Sequence, residues 1–362
     1  MVALKQVNKL AIQFIVDNTT EWFLKMPPGF THEMKYHLTE LKPVIDPLTG
    51  TPFIDAENYC CAHGFSALIH TQTEDSSDTH LTLFDTGPDS QTITRNLAAL
   101  QIPTEKIDRV ILSHWHADHS GGILAFLRAR NKAVSLASQT TQPAPCVFDL
   151  HPDRPIARGI APGGKVIARL PDDPTFEQIQ ELGGVVEKSS EGHVVADGTV
   201  YVSGEIPRVT GFEQGLLGAV RWKGEWVSEE DIMDERYAAI DVVGKGLIIF
   251  SACSHAGIVN VVKDAIKTLN RPIYMIIGGL HLSTPDLQER IAPTVDFLAN
   301  KLRPAPNYVL PMHCSGFNAK VELERALGDG CVPAGTGAKV DVTGDPTAEK
   351  QMFAPVITDW LS

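Results

Sequence analysis

The order of apolar and polar positions predicts an α/β chain. Short apolar runs typical of strands occur at residues 10–16, 65–69, 81–84 and 110–112. Ile93, Leu97 and Leu100 recur at helical spacing between the third and fourth runs, and a second helical pattern starts at Ile123. Strands that alternate with helices in this way indicate a layer rich in βαβ units.

The same alternation returns in the second half of the chain. Residues 200–202, 247–250, 273–277 and 308–310 are predicted as further strands. Helical stripes cover residues 258–269 and 287–302, and Pro293 is expected to begin or kink the second stripe.

Two stretches lack this regularity. Residues 19–58 and about 131–233 are rich in proline and glycine and carry few periodic apolar positions. We expect both to be insertions that cover a site on one single domain spanning residues 1–362.

Composition restricts the possible partners. The formal net charge of -13 disfavours binding to nucleic-acid phosphates. No apolar stretch is long enough to span a membrane, and the first residues lack the pattern of a signal peptide. The six cysteines have no regular disulfide spacing, so free thiols and a cytoplasmic location are expected.

The densest chemical signal is the tight turn after the fourth predicted strand. It reads His114-Trp115-His116-Ala117-Asp118-His119 and is followed by Ser-Gly-Gly. Imidazole and carboxylate groups bind zinc, iron and manganese, so this density of ligand-type residues predicts a metal site. His114 and His116 alternate toward a first metal, and Asp118 and His119 reach a second.

Other predicted strands also end in residues that bind metals. Ligands gather where parallel strands end at one edge of a sheet. A single such residue is weak support, and His255 alone is more typical of a core histidine. The residues at or just after these strand ends are Asp85, Glu205, Cys253, His255, His281 and His313.

The turn, together with the strand end Asp85-Thr86-Gly87, resembles the metallo-β-lactamase superfamily. Residues 63–69, 204–207, 253–258 and 278–282 are similar to its dihydropteroate-synthase-like branch, which is related to the dihydropterin–ribofuranosylaminobenzene phosphate synthase. The resemblance implies an αββα sandwich with a long inserted cap segment and a dinuclear site at one edge.

By this resemblance, His114 and His116 hold the first metal, while Asp118, His119 and His313 hold the second. Asp85 would orient the turn by hydrogen bonds. Two positions depart from the superfamily pattern. Glu205 lies where the third-motif histidine is expected, so either Glu205 replaces that ligand or the ligand comes from elsewhere in the chain. Cys253 or His255 must replace the bridging aspartate.

The sequence therefore predicts a metal-dependent hydrolase of a small organic substrate, most simply a lactam or lactone opened by metal-activated hydroxide. Two zinc ions are expected, with iron or manganese, or a single metal, as alternatives. Asp118 would position the water and move a proton, and His281 would either donate a proton or pack the loop.

Two other activities fit the same residues. One is a transferase resembling the branch's synthase, with Arg158, Arg208 and Arg221 as candidates for a phosphate pocket. The other is a mononuclear iron oxygenase. A small-molecule substrate and a homodimer are the expected partners.

Overall fold

Two mixed β-sheets face each other across one apolar core. The computed structural model describes residues 3–20, 26–42, 44–53, 60–74, 79–137, 144–213 and 215–358. Phe14, Phe84 and Phe250 lie in the layer between the sheets and are fully buried. This arrangement confirms the predicted α/β class.

Among the described residues, the first sheet contains eight strands. Its middle strands, Arg109–Ile111, His80–Phe84 and Val147–Leu150, run parallel to one another. In spatial order the strands are Val185–Lys188, Val147–Leu150, Arg109–Ile111, His80–Phe84, Ser66–Gln72, Lys9–Val16, Lys339–Thr343 and Phe30–Thr31.

Within the described ranges, the second sheet contains six strands, of which the last three are parallel. In spatial order they are His193–Val195, Val200–Val202, Ala238–Val242, Gly246–Ser251, Ile273–Gly279 and Tyr308–Met312. The described part of the chain also forms three small sheets. One has four strands, in the order Ala168–Arg169, Arg158–Ile160, Ala219–Trp222 and Trp226–Ser228. The other two have two strands each, Leu302–Arg303 with Val356–Ile357 and Val44–Ile45 with Pro52–Phe53.

Helices cover the outer face of each sheet. Phe126 and Ile93 pack the first outer layer, and Val262 and Leu323 pack the second. The α-helices are Glu33–Thr39, Ser90–Ala99, Ala117–Ser120, Ile123–Leu136, Phe176–Glu181, Ile258–Leu269, Ile291–Asp296, Phe317–Leu327 and Pro346–Glu349. The order helix, sheet, sheet, helix is the predicted αββα sandwich.

The predicted helical stripe over residues 287–302 is not one helix. The chain forms a 3₁₀-helix at Pro285–Arg290, an α-helix at Ile291–Asp296 and a π-helix at Phe297–Lys301. Pro293 lies in the first turn of the α-helical part, where its missing N–H removes no helical hydrogen bond.

The range expected to cover the site, residues 131–233, divides between several roles. Val147–Leu150 and Val185–Lys188 extend the first sheet, and His193–Val195 and Val200–Val202 extend the second. These strands are only three or four residues long, so they leave little apolar periodicity in the sequence. Only part of the range lies above the sheet edge.

Parallel strands bring chemically active residues to one edge. Asp85 follows His80–Phe84, and the His114–His119 turn follows Arg109–Ile111. Cys253 and His313 follow strands of the second sheet.

In the described ranges, no helix has both the length and the apolarity needed to cross a membrane.

Candidate metal centre

The turn from His114 to His119 is tightly anchored. The Trp115 side chain is fully buried, and the Trp115 backbone N–H donates to Asp234 Oδ2 at 2.7 Å. A Cβ at Gly121 would lie 2.0 Å from the Pro88 carbonyl oxygen, and one at Gly122 would lie 2.2 Å from that of Thr86. Glycine is therefore required where the turn enters the next helix.

Three histidines converge on one side of the turn. His114 Nε2 lies 2.9 Å from His116 Nδ1 and 3.2 Å from His255 Nε2. The Cys253 thiol belongs to the same group, since the ligand atoms of His114, Cys253 and His255 all lie within 4.8 Å of one another.

A second group lies beside the first. It contains Asp118, His119, Cys253 and His313, whose ligand atoms also lie within 4.8 Å of one another. His119 Nε2 is 3.2 Å from Cys253 Sγ, and His313 Nε2 is 3.3 Å from Asp118 Oδ2. Cys253 is therefore common to both groups.

Asp85 fixes the tautomers of two of these histidines. The buried carboxylate accepts the Ser113 N–H and the Ser113 hydroxyl, each at 2.7 Å, and His119 Nδ1–H at 2.8 Å. Since the Ser113 hydroxyl gives its proton to Asp85, it accepts from His114 Nδ1–H at 2.9 Å. In their neutral forms, both histidines therefore direct an unprotonated Nε2 into the centre.

Two residues missed by the sequence interpretation hold His313. Asp17 Oδ1 accepts its backbone N–H at 2.7 Å, and Asn18 Oδ1 lies 3.0 Å from its Nδ1. Both residues follow the strand Lys9–Val16, which runs parallel to His80–Phe84 because each is antiparallel to Ser66–Gln72. The same strand-end argument that selected Asp85 would have found them.

Glu235 is a third residue that the sequence interpretation missed, and it holds His255. Its buried carboxylate accepts the backbone N–H groups of His255 and Ala256, each at 2.7 Å. Glu235 lies in an irregular segment before Ala238–Val242, so no sequence pattern marks it.

The protonation of the centre favours a cation. Burial lowers the pKa of His114, His116 and His255 well below the usual histidine value. Burial also opposes protonation of His119, but the carboxylates of Asp118 and Asp85 raise its pKa. The three converging histidines are therefore neutral.

These donors fit a metal ion. The single in-plane lone pair of His114 Nε2 can accept only one hydrogen bond, although both His116 Nδ1 and His255 Nε2 lie close to it. His255 Nδ1 has no hydrogen-bond partner among the described residues. The separations of 2.9 and 3.2 Å are close to the edge of about 3.3 Å that a tetrahedral zinc site with Zn–N near 2.0 Å requires. Imidazole, thiolate and carboxylate together are typical zinc ligands.

The edge carrying the centre is locally strained. Asp85, Ser254, His281 and His313 adopt positive φ values of 58°, 61°, 49° and 43°. Each such residue costs on the order of 1–3 kcal/mol and persists only when its surroundings fix it. Strain of this kind is typical of functional sites.

A cavity of about 380 Å³ opens onto both groups. Its floor includes His116, Asp118 and Cys253, and His281 lines one side. Apolar residues form another wall, namely Pro88, Leu170, Pro171 and Leu216. Among the described lining residues there is no lysine or arginine.

Two predicted site residues lie differently from the others. Glu205 is exposed in the segment after Val200–Val202 and belongs to neither metal-binding group among the described residues. His281 is beside the centre, with its ring centroid 4.4 Å from that of His255. Burial opposes protonation of the His281 ring, but the neighbouring Cys314 sulfur raises its pKa.

The arginines considered for a phosphate pocket are engaged elsewhere. Arg158 is buried and pairs with Glu229 at 2.8 Å and with Asp234. Arg221 pairs with Asp153 at 2.7 Å. Arg208 donates to the carbonyl oxygen of Ile206 at 3.4 Å.

Comparisons with known proteins agree with this geometry. The family model of the metallo-beta-lactamase superfamily matches residues 66–210. The 7,8-dihydropterin-6-methyl-4-(beta-D-ribofuranosyl)-aminobenzene-5'-phosphate synthase of Methanocaldococcus jannaschii is 32% identical over 263 residues, which are 71% of this chain and 82% of the relative. An uncharacterized protein of the same organism is 25% identical over 74% of this chain and 90% of its own length.

Among solved structures, Tm1679, a metal-dependent hydrolase of the beta-lactamase superfamily, superposes with a TM-score of 0.61. The match covers 92% of this chain and 99% of that protein at 19% identity. At this identity, the likeness establishes the shared fold.

Proposed function

Since the chain belongs to the metallo-β-lactamase superfamily, we propose that it is a metal-dependent hydrolase of a small, uncharged organic substrate, with a lactam or lactone as the preferred class. The observation that carries the proposal is the pair of ligand groups sharing Cys253 at the floor of an apolar cavity. Zinc is the metal that the donor set favours, and two ions would fit the two groups.

The chain supplies the ligands in two sets. His114, His116 and His255 would hold one ion, and Asp118, His119 and His313 the other, with Cys253 between them. When bound, such ions supply Lewis acidity and activate water at neutral pH.

The protein's own groups then bind and orient the substrate. Leu170, Pro171 and Leu216 cover the apolar part of the substrate and exclude bulk water. Asp118, whose Oδ2 is 3.3 Å from His313 Nε2, holds the nucleophilic water in position and accepts its proton. His281 lies at the cavity wall beside Cys314 and contacts the polar part of the substrate.

A second candidate is the transferase activity for which the relative from Methanocaldococcus jannaschii is named. The identity of 32% over 82% of that relative favours it. The absence of lysine and arginine from the described cavity lining favours hydrolysis instead, because the relative's product carries a phosphate. Arg158 and Arg221, bound to carboxylates, do not fill that need.

The test combines metal analysis with a substrate screen. Protein purified without chelators is assayed for zinc, iron and manganese, and then for turnover of lactones, lactams and the reaction of the relative. Zinc with lactone or lactam turnover supports the proposal. Transfer without hydrolysis favours the second candidate, and a single iron with oxygen consumption would favour an oxygenase.

The matched variants are His116→Ala and His80→Ala. His116 Nδ1 contacts His114 Nε2 of the first ligand group at 2.9 Å, whereas His80 lies at the start of a strand, near Asp108 and outside both groups. The first variant should lose metal and turnover together while keeping its fold. Full turnover by a metal-free His116→Ala protein would refute the proposal.

A further inference from the structure

We propose that His63 is a catalytic hydrogen-bond donor to the substrate and that Asn18 is the positioning residue that fixes its tautomer. The inference rests on the proposed function, because it assigns a further group to the same cavity. His63 lines that cavity, and 69% of its side chain is exposed to it or to solvent.

The backbone next to His63 is pinned to the metal-binding turn. Phe65 N–H donates to the Asp118 carbonyl oxygen at 3.3 Å. A Cβ at Gly64 would lie 2.4 Å from that oxygen and 2.7 Å from Pro88 Cδ, so the two segments are in close contact. The position of His63 relative to Asp118 is therefore set by main-chain packing.

The orientation of the Asn18 amide follows from its neighbours. Its Oδ1 is 3.2 Å from the Gly64 N, and a backbone N–H can only donate. Oδ1 is therefore the acceptor, and it also accepts from His313 Nδ1–H at 3.0 Å. The amide NH₂ is left to face His63 Nδ1 at 3.1 Å.

This orientation decides where His63 carries its proton. Because the Asn18 NH₂ donates to it, His63 Nδ1 must be the acceptor, and the ring proton lies on Nε2. The nearest carboxylate oxygen to that nitrogen is Asp118 Oδ2 at 3.7 Å, beyond hydrogen-bond distance. No described residue accepts the Nε2–H, and His63 lines the cavity.

A donor at this place acts on charge that develops in the substrate. When the ester or amide bond breaks, negative charge grows on the carbonyl oxygen and on the leaving atom. A fixed N–H beside Asp118 stabilises that charge by a hydrogen bond, and the proton stays on Nε2. Asn18 thus couples two functions, since the same amide holds the metal-binding tautomer of His313.

The kinetic test compares His63→Phe with His63→Gln, using the zinc-loaded protein. Removal of one such donor lowers kcat by about 10²–10³-fold. We expect that loss for His63→Phe, with KM changed by less than about threefold and with unchanged zinc content. His63→Gln, whose amide can donate from a similar place, should recover at least about tenfold. The control His80→Gln should match the wild type.

Two results would overturn the assignment. One is full kcat in zinc-loaded His63→Phe. The other is a loss of zinc in that variant, since it would make His63 a support for the ligands and not a donor.

A spectroscopic test does not depend on turnover. Long-range ¹⁵N–¹H spectra distinguish the two histidine tautomers, and His63→Gln identifies the His63 signals by their loss. The wild type should show His63 protonated on Nε2. Asn18→Asp keeps the acceptors for His313 and Gly64 but removes the NH₂ donor, so Nδ1 of His63 should then carry a proton.

These measurements separate the two proposals. If no lactone or lactam is hydrolysed, the proposed function fails, and the role of His63 is still decided by titrating benzoate into the zinc-loaded protein. Benzoate should shift the His63 Nε2–H signal and bind about tenfold more weakly to His63→Phe. An Nδ1–H tautomer in the wild type, or equal benzoate affinity, would refute the inference.

Discussion

Replacing Asp85 by asparagine should weaken metal binding at both ligand groups of the candidate centre, because one carboxylate oxygen becomes an amide NH₂. The Ser113 N–H requires an acceptor at one branch of the side chain. The amide NH₂ therefore takes the other branch, which in the wild type accepts from the Ser113 hydroxyl and from His119 Nδ1. His119 must then move its proton to Nε2, the atom that faces Cys253.

The change also reaches His114. The Ser113 hydroxyl would accept from the new NH₂ and donate to His114 Nδ1, so the His114 proton would move to Nε2. Loss of one partner behind a ligand typically lowers metal affinity 10–100-fold. Two affected ligands predict a loss of about 10²–10⁴-fold in total, or about 3–6 kcal/mol.

Ser113→Ala is the matched comparison, since it removes the support of His114 and leaves the bond between Asp85 and His119. We expect it to lower zinc affinity by only about 10–100-fold. Asp108→Asn, at a side chain outside both groups, should have no effect.

Zinc affinity is measured by competition with a chromophoric chelator, stoichiometry by native mass spectrometry, and the fold of each metal-free variant by denaturant unfolding. Wild-type affinity in Asp85→Asn would refute the tautomer argument. So would a Ser113→Ala loss as large as that of Asp85→Asn.

Two further predictions concern stability and specificity. His193 donates to the buried Asp149 at 2.7 Å, and this hydrogen bond raises the pKa of His193. The bond therefore stabilises the fold fully below about pH 6.5, and this stabilisation is lost as the pH rises through the raised pKa. The Tm of the wild type should therefore fall more steeply between pH 6.5 and 8.5 than that of His193→Gln; parallel curves from calorimetry would contradict this. Leu216→Lys places a cation in the cavity wall and should raise kcat/KM for an anionic ester relative to its neutral analogue by about tenfold. The control Leu216→Met should leave this ratio of kcat/KM values unchanged. An unchanged ratio in the lysine variant would show that Leu216 does not line the substrate pocket.

The apolar pattern predicts the α/β class because the long strands are buried and nearly continuous in apolar residues, and the sandwich is what the family resemblance implies. Gly246–Ser251 is buried at every position, and such runs are recognisable without a structure. The short strands Arg158–Ile160 and Val147–Leu150 are not, because three or four residues carry too little periodicity. Their place in the sheets depends on pairing with distant parts of the chain.

The candidate site shows the same division. The dense turn from His114 to His119 and the strand-end residues Cys253 and His313 are found from local pattern, and the structure brings them together. Glu235 acts through hydrogen bonds from residues far along the chain, which no local spacing encodes, whereas Asn18 follows the strand Lys9–Val16 and is within reach of the strand-end argument. Glu205 ends a strand that lies farther from the parallel core of the second sheet, so its side chain remains exposed.

Each of the two sheets contributes candidate ligands to the same metal centre, where the ligand atoms of one group lie within 4.8 Å of one another. His119 follows a strand of the first sheet, and Cys253 and His313 follow strands of the second. A bound ion would therefore act as a clasp between the two halves of the sandwich and would close long loops of the unfolded chain, as a cross-link does. Metal loading should then slow the separation of the sheets, and the metal-free protein should open first along this edge.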